Sequence, residues 1–144
     1  MAPAQNDEIN HLIQGVVHAA NTPPKSRHTS IKPTVASLVS LAYDRGLLPD
    51  VLSELIDLVT APSHLDQASL ASIVRNLYPA TRVSRTIVLR VVAALGHGEL
   101  KPSLNVQAAL LRWLILVYHV LETPTVLSQS YQVLFNLLDT AAFR

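Results

Sequence analysis

The sequence contains no cysteine, which removes disulfides, thiolate metal sites and a cysteine nucleophile at once. Glycine is almost as scarce, with Gly15, Gly46, Gly96 and Gly98 the only ones. Gly96-His97-Gly98 lacks the third glycine of a dinucleotide fingerprint, no Lys-Ser/Thr phosphate loop exists, and no serine stands in a G-x-S-x-G elbow. Charge is sparse too: Asp, Glu, Lys and Arg make up 15% of the chain, against about 25% in typical globular proteins. A net charge of +1 gives no global attraction to nucleic acid. MAPAQNDEIN carries Asp7 and Glu8 and no basic region ahead of an apolar run, so it does not read as a secretory signal.

What the chain has in quantity is apolar surface, 49% of its residues. At this length it suits one domain, residues 1–144, able to bury a real core. So little polar surface fits the N-terminal fragment of a longer helical array, whose last unit was meant for a neighbour. Consistently, Val126 to Phe143 reads as helix up to Arg144 without a Gly or Pro stop.

The organising stretch is SLNVQAALLRWLILVYHVLE, Ser103 to Glu122, in which Asn105, Gln107, Arg112 and His119 are the clearly polar side chains between Leu104 and Leu121. A helix apolar nearly all round must be covered on most sides. As a membrane span it would place Arg112 near mid-bilayer, at about 2.5–3.5 kcal/mol. The amphipathic segments around it need somewhere to bury their stripes, so it is read as a core helix, capped by Ser103 and closed before Pro124.

The remaining helices follow from periodicity and punctuation. Ile9, Leu12, Ile13, Val16, Val17 and Ala20 mark a helix from Asn6. Asn21 to Lys32, with paired prolines, three basic residues and no acid, is a basic flexible loop. Pro33 opens a helix that Gly46 ends in a left-handed cap, and Pro49 opens another that stops at Pro62, predicting an antiparallel hairpin. Ser63 or Asp66 caps a helix to about Tyr78, burying Leu70, Ile73, Val74 and Leu77. Ser84 caps a further one, with Ile87, Val88, Val91, Val92 and Leu95 inward and Gly96 at its close. After Pro124 a last helix presents Leu127, Tyr131, Leu134, Phe135 and Leu138. The prediction is therefore all-α, about seven helices. Starts near Pro33, Asp66 and Ser103 recur every ~35 residues, matching an α-solenoid of antiparallel helical hairpins, a HEAT-like repeat.

No catalytic, cofactor or metal residue emerges. His11 and His18 are about 10 Å apart along a helix, too far to share an ion. His97 and Glu99 lack the cysteines of the deaminase signature, and His119 is expected at the core or its boundary. Glu54 and Asp57, three residues apart, read as a solvated face. Val83 to Val92 resembles the recognition half of a helix-turn-helix DNA reader, but Tyr78 and Arg82 stand where that motif wants a small residue and a glycine. A DNA-binding module centred there is kept as the alternative function.

Charge distribution says more. Asp44, Asp50, Glu54, Asp57 and Asp66 stand against Arg45 alone, whereas Arg75, Arg82, Arg85 and Arg90 form a stretch without acids. Leu89, apolar and on the face away from Ile87, Val88 and Val91, would be ringed by arginines, a composition that protein interfaces enrich. Arg82, Arg85, Leu89 and Arg90 are the predicted partner-binding residues.

The run LYPATRVSRTIVLRVVAALGHGELKPSLNVQAALLRWLILVYHVLE, Leu77 to Glu122, resembles the N-terminal part of the centromere protein I (CENP-I) family, above all its fungal members. LLRWLILVYHVLE after KPSLNVQ carries most of the likeness. The resemblance implies a nuclear, non-enzymatic inner-kinetochore scaffold whose N-terminal HEAT-like array receives the CENP-H/CENP-K heterodimer, with CENP-M engaged by the rest of the chain. It carries no contact residues of its own. Weak DNA contact through Lys25, Arg27 and Lys32, and modification at Ser26, Thr29 or Ser30, are further expectations from the loop's composition.

Overall fold

The structure, a computed structural model, describes residues 3–26 and 30–121. Within them the chain forms α1 (Pro3–Ala20), α2 (Lys32–Arg45), α3 (Pro49–Thr60), α4 (Gln67–Arg75), α5 (Arg85–Ala93) and α6 (Leu104–Leu116), with 3-10 turns at Pro24–Ser26 and Tyr118–Val120. The all-α class holds. The helix predicted after Pro124 lies outside the described residues.

Helix starts sit where short polar side chains or prolines put them. Ser103 Oγ accepts from Val106 N–H and Ser84 Oγ from Ile87 N–H, both at 3.4 Å. At α4 the choice falls on Asp66, whose carboxylate accepts from Ser69 N–H at 3.0 Å and from Ser69 Oγ–H at 2.7 Å. Pro33 and Pro49 lie in the first turns of α2 and α3, where a missing N–H costs nothing.

Helix ends agree at α2, which stops at Arg45 before Gly46, and at α3, which stops at Thr60 before Pro62, but depart from expectation at α4 and α6. α4 stops at Arg75, not near Tyr78, because Asn76 Nδ2 donates back to Ser72 O. The next carbonyls serve other elements: Leu77 O accepts from Trp113 Nε1–H at 2.8 Å, and Tyr78 O from Leu47 N–H at 2.6 Å. α6 ends at Leu116 and not at Glu122, since the chain tightens into a 3-10 turn and then extends to bury Leu121. Gly46 does have φ +74°, but its ψ of 166° is extended, so it launches a bridge instead of closing a left-handed cap.

The helices pack in two rows. α1, α3 and α5 contact in succession, as do α2, α4 and α6, while α1 meets α2 and α3 meets α4 across the rows. The predicted α2–α3 hairpin is thus replaced by longer-range partnerships: α2 makes its main contacts with α1 and α4. The evenly spaced starts at Pro33, Asp66 and Ser103 belong to the members of one row.

Between the helices, the connections bond to one another. Leu47 and Pro79 form a parallel bridge, with Ala80 N–H to Leu47 O at 2.9 Å, and Val83 and Leu121 form the next, with Val83 N–H to Val120 O at 2.9 Å. The connection after α2 is therefore tied to that after α4, which is tied to that after α6. At the opposite ends of the helices, His64 N–H donates to Ala20 O at 2.9 Å.

One continuous core fills the space between the rows, including Ile13, Leu38, Leu52, Ile56, Ile73, Val88, Val91, Leu110 and Leu121. Full burial of such a side chain contributes about 1.5–3 kcal/mol relative to exposure. α6 sends Val106, Leu110, Trp113 and Leu114 into it. Its other side is open among the described residues, with Ile115 73% and Leu116 62% exposed.

Candidate partner-binding surfaces

The predicted patch assembles in part. Ile87, Val88 and Val91 pull one face of α5 into the core, which leaves Leu89 41% exposed on the other, one turn from exposed Arg85. Arg85 has no ion pair or side-chain hydrogen bond among the described residues. Arg82, just ahead of the helix, is exposed and donates from Nη1 to Leu121 O at 3.5 Å.

Arg90 is turned elsewhere. Its Nη1 lies 2.9 Å from both Asp57 Oδ1 and Ser53 Oγ, and 3.4 Å from Ser53 O, bracing α5 against α3. The acidic face of α3 and the arginines of α5 thus meet at one pair, and what stands open beside Leu89 is Arg85 and Arg82. The motif-like stretch Val83–Val92 has a DNA reader's helix but not its turn: the connection from Asn76 to Ser84 far exceeds the usual three or four residues and is held by backbone bonds to Leu47 and Val120.

His11 and His18 are exposed on α1, and His97 and Glu99 are exposed in the α5–α6 connection. His119, expected at the core or its boundary, lies in the exposed part of the 3-10 turn that ends α6 early. Among the described residues no group of three His, Asp or Glu is placed to hold a metal ion.

The fold lowers the titration of the Asp66 carboxyl. The Ser69 hydroxyl, and behind it backbone donors and the Lys32 charge, hold it below its ordinary 3.8, against a smaller opposing effect of burial.

A second surface escaped the sequence reading. Between α4 and α6 runs a groove of about 450 Å³ lined by Gln67, Ala68, Ala71, Arg75, Asn105, Ala108, Ala109 and Arg112. Asn105 Nδ2 donates to Gln67 Oε1 at 3.4 Å across one end. The only signal in the sequence was Arg112, the lone cation in an apolar helix. That Arg75 should share its groove depends on α4 and α6 being row neighbours.

With this geometry in place, the likeness to known proteins is specific. A family model described as CENP-I: Mis6 matches residues 3–143. The chain belongs to the CENP-I family. It is 34% identical over 105 residues to the inner kinetochore subunit mis6 of Schizosaccharomyces pombe, covering 72% of this chain but 16% of that relative. Two solved structures resemble it at 55% identity, each covering 94% of this chain and 64% of the other: a Cenp-H/I/K triple complex of kinetochore subunits, with a TM-score of 0.89, and centromere protein Cenp-I, with 0.88. The chain thus spans about a sixth of its curated relative and under two thirds of the solved chains. Membership in CENP-I places the protein at the centromere and kinetochore, in the nucleus, in a family of structural subunits.

Proposed function

We propose that this CENP-I chain is a HEAT-like α-solenoid that serves as a non-enzymatic scaffold of the inner kinetochore and binds the CENP-H/CENP-K heterodimer, supporting network assembly and chromosome segregation. The observation that carries the reading is the two-row succession of helices in a chain 55% identical to a subunit named in a Cenp-H/I/K complex. Row-to-row packing builds an extended surface of fixed shape, suited to gripping a helical partner. Arg85 and Leu89, with Arg82 beside them, supply a charged rim around an apolar anchor, and Arg90 holds their helix in place from behind.

The test is a titration of the purified chain with the CENP-H/CENP-K heterodimer. Wild type binds, and Leu89→Asp with Arg85→Glu weakens binding by about tenfold or more, equivalent to roughly 1.4 kcal/mol or above. Both side chains are exposed, so the melting temperature moves little. Unchanged affinity of the double variant removes the α5 patch; no binding by wild type removes the partner reading. Duplex DNA titrated across salt concentrations is the control, because phosphate contacts lose affinity steeply as salt rises.

A further inference from the structure

We infer that the groove between α4 and α6 is a docking site for an acidic helical segment of a protein partner. The proposal deepens the scaffold reading and rests on it, but it uses the opposite row of helices from the α5 patch.

Three observations converge on the groove. Its floor is Ala68, Ala71, Ala108 and Ala109, side chains so short that an incoming helix can bring its backbone close. From Gln67 to Arg75 the trough spans the nine residues of α4, about 12 Å between first and last, or roughly two helical turns. It also continues sideways, because a neighbouring hollow of about 440 Å³ between α2 and α4, lined by Lys32, Ala36, Asp66, Ser72 and others, shares Ala68 with it; the Asp66 carboxylate there is engaged by Ser69.

Charge selects the occupant. Among the described residues, Arg45 pairs with Glu8, Arg90 with Asp57, and Arg82 reaches a carbonyl. Arg75 and Arg112 have no such partner, both are exposed, both line this one groove, and no carboxylate lines it with them. Each offers a planar fork of donors that matches a carboxylate. A helix carrying Asp or Glu at one end, or ending there so that the negative pole of its dipole meets the arginines, satisfies both. Nucleic acid fits poorly: two cations over an alanine floor fall well short of the roughly six to ten phosphate contacts typical of duplex binding.

The experiment uses the CENP-H/CENP-K heterodimer as probe, titrated into wild type, Arg75→Glu with Arg112→Glu, and Ala108→Trp. Ala108 is exposed, so the tryptophan fills the trough without entering the core. Melting curves and circular dichroism verify that each variant is folded. Expected are a loss of about tenfold or more for both variants and a flatter salt dependence for the charge reversal. If wild type binds and both variants bind equally well, the groove is overturned while the scaffold reading stands. If wild type fails to bind, the scaffold reading falls and takes the groove with it. If the charge reversal weakens duplex DNA binding and leaves the heterodimer unaffected, the groove is a nucleic-acid contact and the proposal is wrong.

Discussion

Gln107 shows how much a single buried amide can organise. It is 1% exposed, its Oε1 accepts from Gly96 N–H at 2.8 Å, and its Nε2 donates to Gly96 O and Pro102 O, each at 2.9 Å. One side chain thereby closes the α5–α6 connection onto α6. Gln107→Leu keeps the volume but orphans three backbone groups, each costing about 1–3 kcal/mol when left unsatisfied. The melting temperature should fall by about 2–4 °C per kcal/mol at this chain size. Thermal unfolding followed by circular dichroism decides it; a variant that melts with wild type would show the amide to be dispensable. Nothing local announced this role, because the acceptors of Gln107 lie back in the preceding loop and a glutamine in a helix otherwise reads as surface. The same blindness applied to Arg90, whose partners are on α3, and to the meeting of Arg75 with Arg112.

At the level of the helix, the starts were legible, as were the ends that Gly46 and Pro62 mark, but the ends of α4 and α6 were not. Ser84, Asp66 and Ser103 announce starts because a cap acts through bonds to residues three positions on, so its evidence is contained in a few letters. The ends of α4 and α6 answer instead to Trp113, Leu47 and Val83, which no local window includes. The α4 cap also has a pH signature. Asp66 titrates below its ordinary 3.8 in the folded state, so its contribution is present above that value and is lost as pH falls through the lower folded one. Asp66→Ala should cost about 0.5–2 kcal/mol at neutral pH, with the gap to wild type narrowing below pH 3.8. Asp66→Asn keeps a capping oxygen and should stay near wild type at neutral pH. A gap in Asp66→Ala that persists undiminished at acid pH would mean that ionisation plays no part.

Across the molecule, the helical class and most of the core stripes were readable from periodicity, whereas the partner of each helix was not. Sequence proximity suggested that α2 folds onto α3; the structure sets α2 beside α1 and α4, because its apolar stripe of Val35, Leu38 and Ala42 has to face the common core. The tie between successive connections is what fixes the rows in register, and Gly46 sits at its tightest point. A Cβ added there would lie 2.9 Å from the Ala80 Cα, at a φ of +74° that side chains rarely adopt. Gly46→Ala should therefore destabilise by about 1–3 kcal/mol, and hydrogen exchange at Leu47 and Ala80 should accelerate together. Protection unchanged at both amides would separate the glycine from the tie.

The bridges Leu47–Pro79 and Val83–Leu121 lie along one border of the helical rows and bind each connection to the next by main-chain bonds. A border stitched in this way resists stretching, while the far ends, where the His64 N–H to Ala20 O bond is the main-chain tie, can fan apart more readily. Tension applied along the protein would then change its curvature before its length, with the stitched edge acting as a spine.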